Sequence, residues 1–359
     1  MPPIIDMNKF SFHGDEIKAI SEMVFDEVVN APELSLIHTI FPNIVTDKEL
    51  GFIGEGGLVG KANSGCDPTP QNFSIATRLV KWEPKDWEIL IHACWKDLKS
   101  TAAVYSLKLG TAIADFSTTD YMNVVSTVLA AAMKKFVLRL AWFNDTDAEN
   151  YVPAVGQTPA SGGDITPGVD VGYFNILDGF WKQIALQYAA NASQRVTISE
   201  NAAATYAAQK LLPANVQGYL GKLKYGAPAT LRGQAGLAYI CTQSVYDAYE
   251  QSLAGTALES MYRNLTEGQK TLTYSGIPIV PMPVWDEMIA AYFNVGSKLI
   301  NPHRVLLTTK EVLGIGVDDE SSFGNIEIWY DKDSRKVKME GMGVADAKLT
   351  NPAMLMVGI

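Results

Sequence analysis

The chain has 359 residues, 47% of them hydrophobic, enough to fill one large core or two interleaved ones. A formal net charge of −10, from 29 basic against 39 acidic residues, argues against a dedicated nucleic-acid-binding surface, because neutralising phosphates takes concentrated Lys and Arg. Cys66, Cys94 and Cys241 are odd in number and far apart with no Cys-x-x-Cys pair, which argues against a disulfide framework and a zinc knuckle and fits a reducing cytosol.

In chain order, Met1 to Phe12 lacks a basic leader followed by an apolar core, so no secretory signal is expected. Residues 13–30 space Ile17, Ile20, Met23, Val24 and Val28 as an amphipathic helix on an arm, before Pro32 and Pro42 interrupt. From Ile44 the chain enters a strand through Phe52 and Ile53, crosses a tip containing Gly54, Gly56, Gly57 and Gly60, and returns through Phe73, Ile75, Leu79 and Val80. That pattern predicts an extended hairpin. Trp87, Ile89, Ile91, Ala93 and Trp95 alternate with Glu88, His92 and Lys96, which predicts a strand with one face buried against the body.

A long helix is predicted from about Thr119 to Phe143, with Met122, Val125, Leu129, Ala132, Met133, Phe136, Leu140 and Phe143 on one stripe. At about 1.5 Å per residue it would span roughly 37 Å. Lys134, Lys135 and Arg139 inside its most apolar run exclude a membrane span. Residues 144–172 read as an ordered loop, and Tyr173 to Ala190 as a further helix. Thr197 and Glu200 have the spacing of a capping box, which predicts an alanine-rich helix stopped by Pro213. Leu237 to Cys241 reads as a buried strand, Gln243-Ser244 as the start of a helix through Val245, Tyr249 and Leu253, and Leu272, Ile277 and Val305 as further strands. Residues 276–359 are short apolar strands around one short helix.

No chemistry-bearing pattern survives scrutiny. The run Gly54-Glu55-Gly56-Gly57-Leu58-Val59-Gly60-Lys61 has Glu55 and Ala62 where a phosphate loop needs Gly and Ser or Thr, and Val59 where a dinucleotide fingerprint needs its third Gly. His92 and Cys94 share a strand face but lack two further metal ligands, and are read as a buried histidine beside a buried thiol. Asp145, Asp147 and Glu149 read as a solvated turn, with an ion staple as the lesser alternative, and Asp318, Asp319 and Glu320 as solubilising charges. The four histidines show no partner for a Ser or Cys nucleophile. The expectation is therefore no enzyme, no cofactor and no metal.

The succession of arm, glycine-rich hairpin, long helix, compact α/β region and strand-rich ending, with Asn301-Pro302-His303-Arg304-Val305-Leu306-Leu307-Thr308-Thr309-Lys310 and then Gly316-Val317-Asp318, resembles a tailed-bacteriophage major capsid protein of the HK97 fold. The resemblance implies a mixed α/β (α+β) chain divided into an amino-terminal arm (1–42), an extended loop with its adjoining strand (43–105), a peripheral domain with a spine helix (106–195), an axial domain (196–318) and carboxy-terminal strands returning to the peripheral domain (319–359). It implies self-assembly into hexamers and pentamers of an icosahedral shell around double-stranded DNA, in a virion assembled in bacterial cytoplasm. Portal, scaffolding or auxiliary capsid proteins would be partners, without a membrane and without sequence-specific DNA binding. Gly54, Gly56, Gly57, Gly60 and Lys61 would then serve assembly, and Met122, Leu129, Met133, Phe136 and Leu140 would pack the spine helix. Lysine crosslinking from Lys61 is not carried over, since no crosslinking partner is identifiable. The alternatives are an encapsulin-type compartment with protein cargo and a cytosolic hydrolase with its site in 196–318.

Overall fold

Leu237–Cys241, Val305–Thr309 and Leu355–Gly358 are buried at almost every position, as strands covered on both faces must be. The computed structural model describes residues 36–44, 49–56, 75–94, 132–152, 164–254, 263–266, 269–318, 326–331, 333–334 and 336–359. The strands are β1 (Thr39–Phe41), β2 (Glu49–Gly56), β3 (Ile75–Lys81), β4 (Lys85–Cys94), β5 (Arg195–Val196), β6 (Leu237–Cys241), β7 (Arg263–Thr266), β8 (Gln269–Tyr274), β9 (Ile277–Pro281), β10 (Asn294–Val295), β11 (Lys298–Leu299), β12 (Val305–Thr309), β13 (Leu313–Val317), β14 (Ile326–Asp331), β15 (Lys336–Leu349) and β16 (Leu355–Gly358). Among the described residues the helices longer than one turn are α1 (132–143), α2 (Phe180–Ala190), α3 (Pro213–Gly226), α4 (Gln243–Leu253) and α5 (Pro283–Tyr292), and Ala229–Arg232 adds a single helical turn. The chain is thus mixed α+β, as the sequence predicts.

One sheet runs β5-β16-β12-β6-β9-β8-β7. Because side chains alternate across a strand, Tyr239, Cys241, Val305, Leu307 and Met356 enter one core with α3 and α4. Their neighbours Ile240, Leu306, Leu355 and Val357 enter a second core with α1, α2 and α5. Each fully buried side chain of this size contributes about 1.5–3 kcal/mol relative to exposure, so the sheet is held from both sides.

Met133, Phe136 and Leu140 of the predicted helix stripe are buried as expected, whereas Ala132 is exposed. Val137, Leu138, Ala141 and Trp142 are buried too, so the end of α1 is enclosed nearly all round rather than along a stripe. Trp142 is central there, with its ring centroid 4.5 Å from Trp285, 4.9 Å from Phe180 and 5.3 Å from Trp181. Its Nε1–H donates to His38 Nε2 at 2.8 Å, which ties the segment before β1 to this core. Met122 and Leu129, like the predicted arm helix at 13–30, lie outside the described residues.

A second sheet is organised by the 14-residue β15. Its Lys336–Gly341 part pairs with β14 and β4 at once, and Ala345 with Val317 and Lys85 at once. Hence β13 and then β14 follow one edge of β15 while β4 takes the other, and β1 adds in parallel beside β13. The predicted hairpin is present as β2 paired antiparallel to β3, and among the described residues these two strands pair only with each other. Gly54 and Gly56 fall within β2, where the register shifts between Ile53 and Gly56; Gly57, Gly60 and Lys61 lie outside the described residues.

Two helix predictions are corrected. The helix expected from Tyr173 starts at Phe180, because Asn144 Oδ1 accepts Ile176 N–H and Asp178 Oδ1 accepts Thr146 N–H, which lay residues 174–179 across the loop after α1. Gly179 sits so close beneath α1 that a Cβ there would come 2.9 Å from the Ala141 carbonyl oxygen. The alanine-rich helix expected after Thr197 is instead a 3-10 turn at Ser199–Ala202 followed by further turns. Glu200 spends its carboxylate on the Tyr219 hydroxyl at 2.7 Å and Asn215 Nδ2 at 2.8 Å rather than on a cap. Pro213 opens α3 rather than stopping a helix, since a first-turn residue needs no N–H.

Two glycines separate crowding from helix propensity. Gly179→Ala is expected to destabilise by about 1–3 kcal/mol through backbone overlap, while Gly218→Ala, at an α3 position where an added Cβ meets nothing within 4 Å, is expected to stabilise by about 0.5–1 kcal/mol. Chemical denaturation of both variants checks this, and equal effects would contradict the packing described.

Candidate functional site: the outer face of the β4–β15 ribbon

β4 and β15 pair over ten positions, from Lys85 opposite Ala345 to Cys94 opposite Lys336. Trp87, Ile89 and Ile91 point to one face; Glu88, Leu90 and His92 point to the other, together with Met342 opposite Glu88 and Glu340 opposite Leu90. On the inner face Trp87 is buried against Phe136, with centroids 5.1 Å apart, and Ile89 is half-buried. Ile91 is 46% exposed, so the burial expected for this face ends halfway along the strand.

The outer face carries the unexpected feature. Leu90 is 66% exposed and Met342 59% exposed, and the register makes them diagonal neighbours flanked by Glu88 and Glu340. Among the described residues β4 pairs with β15 alone, which leaves its other edge open. The signal in the sequence is Ile89-Leu90-Ile91, where three consecutive apolar residues break the alternation. His92 is exposed on this outer face, which overturns its reading as a buried histidine. No group of three or more His, Cys, Asp or Glu side chains that could hold a metal occurs among the described residues.

Behind the ribbon, polar groups lock loops to the cores. Asp145 and Asp147, read as a solvated turn, both accept from Lys182 Nζ, at 2.7 and 2.8 Å. Burial alone would lower the Lys182 ammonium, but these two carboxylates outweigh it and hold it above the usual lysine range. Arg304, 5% exposed, donates to the Asn301 and Ile300 carbonyls and lies over the Trp181 ring at 4.8 Å. Burial lowers this guanidinium to about 10.

A serine does have a histidine partner: Ser244 Oγ lies 2.7 Å from His303 Nδ1, and His303 Nε2 lies 2.5 Å from the Gln209 carbonyl oxygen. The two residues are 59 positions apart, so only the fold joins them. Asp286 Oδ2 accepts Gln243 N–H at 2.7 Å at the start of α4, beside this pair in sequence. Asn201 brackets the same histidine, accepting His303 N–H at 3.0 Å and donating to its carbonyl at 2.8 Å. These bonds fasten the 199–209 turns to the irregular segment that leads into β12.

Burial pushes Asp164, Asp286 and Asp346 up to about 6. Asp346, 3% exposed on β15, accepts Glu83 N–H at 2.7 Å and Ala347 N–H at 2.8 Å, which pins the β3–β4 connection to the second sheet. A carboxyl raised on folding keeps its proton in the folded chain between about pH 4 and 6 after the unfolded chain has released it. Its contribution is complete below about pH 4 and is lost as pH rises through about 6. Asp346→Asn, uncharged throughout, is therefore expected to show a shallower fall in Tm between pH 4 and 7 than the parent, and parallel curves would contradict this.

No family model and no curated protein matches the sequence. Among solved structures, the chain is similar to one in "Satellite phage P4 procapsid including size determination (Sid) protein", with 12% identity, a TM-score of 0.49, and 95% of this chain and 98% of that chain covered. The capsid of cyanophage P-SCSP1u gives 11% identity and a TM-score of 0.48, over 90% of this chain and 86% of that chain. The cyanophage A-1(L) capsid gives 12% identity and a TM-score of 0.46, over 92% of each. These structures, similar to the chain over most of its length, are of phage capsids and procapsids.

Proposed function

We propose that this chain is a shell subunit of the tailed-bacteriophage type, a structural virion protein whose copies form hexamers and pentamers of an icosahedral capsid around double-stranded DNA. The observation that carries the reading is the apolar pair Leu90 and Met342 on the outer face of a strand that, among the described residues, pairs along one edge alone. The solvated face of an antiparallel sheet is ordinarily polar, and an apolar pair beside an unpaired edge invites a further chain. A closed symmetric assembly supplies that chain many times over.

In this reading β2 and β3 are the stem of the extended loop, with Gly54, Gly56, Gly57, Gly60 and Lys61 at or near its tip. The helix ending in α1 is the spine, packed by Met122, Leu129, Met133, Phe136 and Leu140. The seven-stranded sheet with α3 and α4 is assigned to the axial domain, with β16 joining it from beyond 196–318; the limits proposed are 1–42, 43–105, 106–195, 196–318 and 319–359. The reading is non-enzymatic: the Ser244–His303 pair, with His303 also bonded to the Gln209 carbonyl, serves to hold a turn. Portal, scaffolding and auxiliary proteins are its further partners, and the bacterial cytoplasm is its place of assembly. Among the described residues no helix is long and apolar enough to cross a membrane.

The test is the double variant Leu90→Glu with Met342→Glu, compared with the parent by sedimentation and circular dichroism. A folded chain that stays unassembled under conditions where the parent forms shells or rings is expected. Intact shells from the double variant would contradict the role given to the ribbon.

A further inference from the structure

Between Asn201 and Tyr246 the chain has no acidic residue and four cations, Lys210, Lys222, Lys224 and Arg232. Setting those four aside leaves 25 basic against 39 acidic residues elsewhere, a net charge of −14. The same stretch exposes large apolar or aromatic side chains: Tyr206 is 62% exposed, Leu212 55% and Tyr225 66%. A positive, aromatic-bearing segment in a strongly negative chain is complementary in charge to the remaining surface of another copy.

The helix geometry narrows this to one stripe. On α3, Asn215, Gly218, Lys222 and Tyr225 recur every three or four residues and are all exposed, while Val216, Tyr219, Leu220 and Leu223 are buried in the core beneath. An added Cβ at Gly218 meets nothing within 4 Å, so the missing side chain serves no contact inside the chain and leaves a shallow place beside Lys222 and Tyr225. Lys224, by contrast, is half-buried and donates to the Ser275 carbonyl at 3.2 Å, so it works within the subunit.

Next to it, α4 carries the opposite charge. The two helices are linked by Gln217 Nε2 donating to Ser252 Oγ at 3.1 Å. Asp247 and Gln251 are exposed on α4 and Glu250 is half-buried, at a spacing that puts all three on one side. Two different neighbouring faces of complementary charge are what a head-to-tail contact requires, and such contacts close into rings when the rotation permits.

We infer that the outward stripe of α3, centred on Gly218, Lys222 and Tyr225, docks on the acidic side of α4, at Asp247 and Glu250, of a second copy of this chain, and that this head-to-tail contact builds the capsomer ring. The inference rests on the shell reading and adds the surface that reading leaves unnamed. The chain's formal net charge of −10 disfavours nucleic acid as the occupant.

The experiment uses the full chain and four forms: the parent, Lys222→Glu, Asp247→Lys, and both together, with the ring fraction read by native mass spectrometry and electron microscopy. Each single change is expected to lower the ring fraction at least about tenfold, and the charge-swapped double variant to recover most of it. Tyr225→Ala is expected to reduce rings without restoring charge symmetry, and circular dichroism confirms that each variant folds. Rings from the parent with both single variants unaffected, or no recovery in the double variant, would overturn this contact while leaving the shell reading standing. Normal rings from Lys222→Glu together with weakened binding of a 20-base-pair DNA duplex, read by fluorescence anisotropy, would overturn it in favour of nucleic acid. A parent that never leaves the monomer would overturn the shell reading and this contact with it.

Discussion

The strands β6, β12 and β16 of the seven-stranded sheet are buried on both faces, and most of the structure follows from that constraint. Alternation along β6, β12 and β16 sends Tyr239, Val305 and Leu307 one way and Ile240, Leu306 and Val357 the other, so each face demands its own layer of helices. α3 and α4 close one side, and α1, α2 and α5 close the other around Trp142. The exposed Leu90 and Met342 of β4 and β15 belong to a wider set that includes Leu36, Leu79, Leu186 and Leu212, and the register of β4 with β15 sets these two side by side on one face.

The buried polar groups serve the same end by fixing what joins the layers. Lys182 clasps Asp145 and Asp147 across 37 and 35 residues of sequence, and Asp346 holds the turn at Glu83 across 263. Arg304 is buried among Trp181 and Phe143 with carbonyl oxygens as its acceptors. Lys182 and Asp346 are satisfied by groups remote in sequence, and Arg304 by carbonyls three and four residues before it, so losing one partner would strand a buried charge, a larger penalty than losing an ordinary contact. Such ties make the subunit a firm body from which the β4–β15 ribbon projects.

What the sequence makes legible is whatever depends on local pattern. The buried strand at Leu237–Cys241, the helix through Val245, Tyr249 and Leu253, the paired strands β2 and β3, and the burial of Met133, Phe136 and Leu140 all follow from spacing alone. What fails is decided by distant partners. Glu200 caps nothing because Tyr219 and Asn215 reach it first, and Tyr173 starts no helix because Asn144 and Asp178 anchor the chain elsewhere. Ser244 and His303 meet only because β6 lies beside β12, a pairing invisible in either segment. The outward apolar pair is half legible: Ile89-Leu90-Ile91 signals an extra exposed residue, but Met342 joins it only through the register of β15.

The central claim is that one copy is an incomplete object whose outward apolar and charged faces are finished by others. Electron microscopy with particle sizing of the purified parent chain at micromolar concentration tests it most directly. Uniform shells, or rings of five or six copies, are the predicted result. A strictly monomeric population that persists with crowding agents or a candidate scaffolding protein added would contradict it.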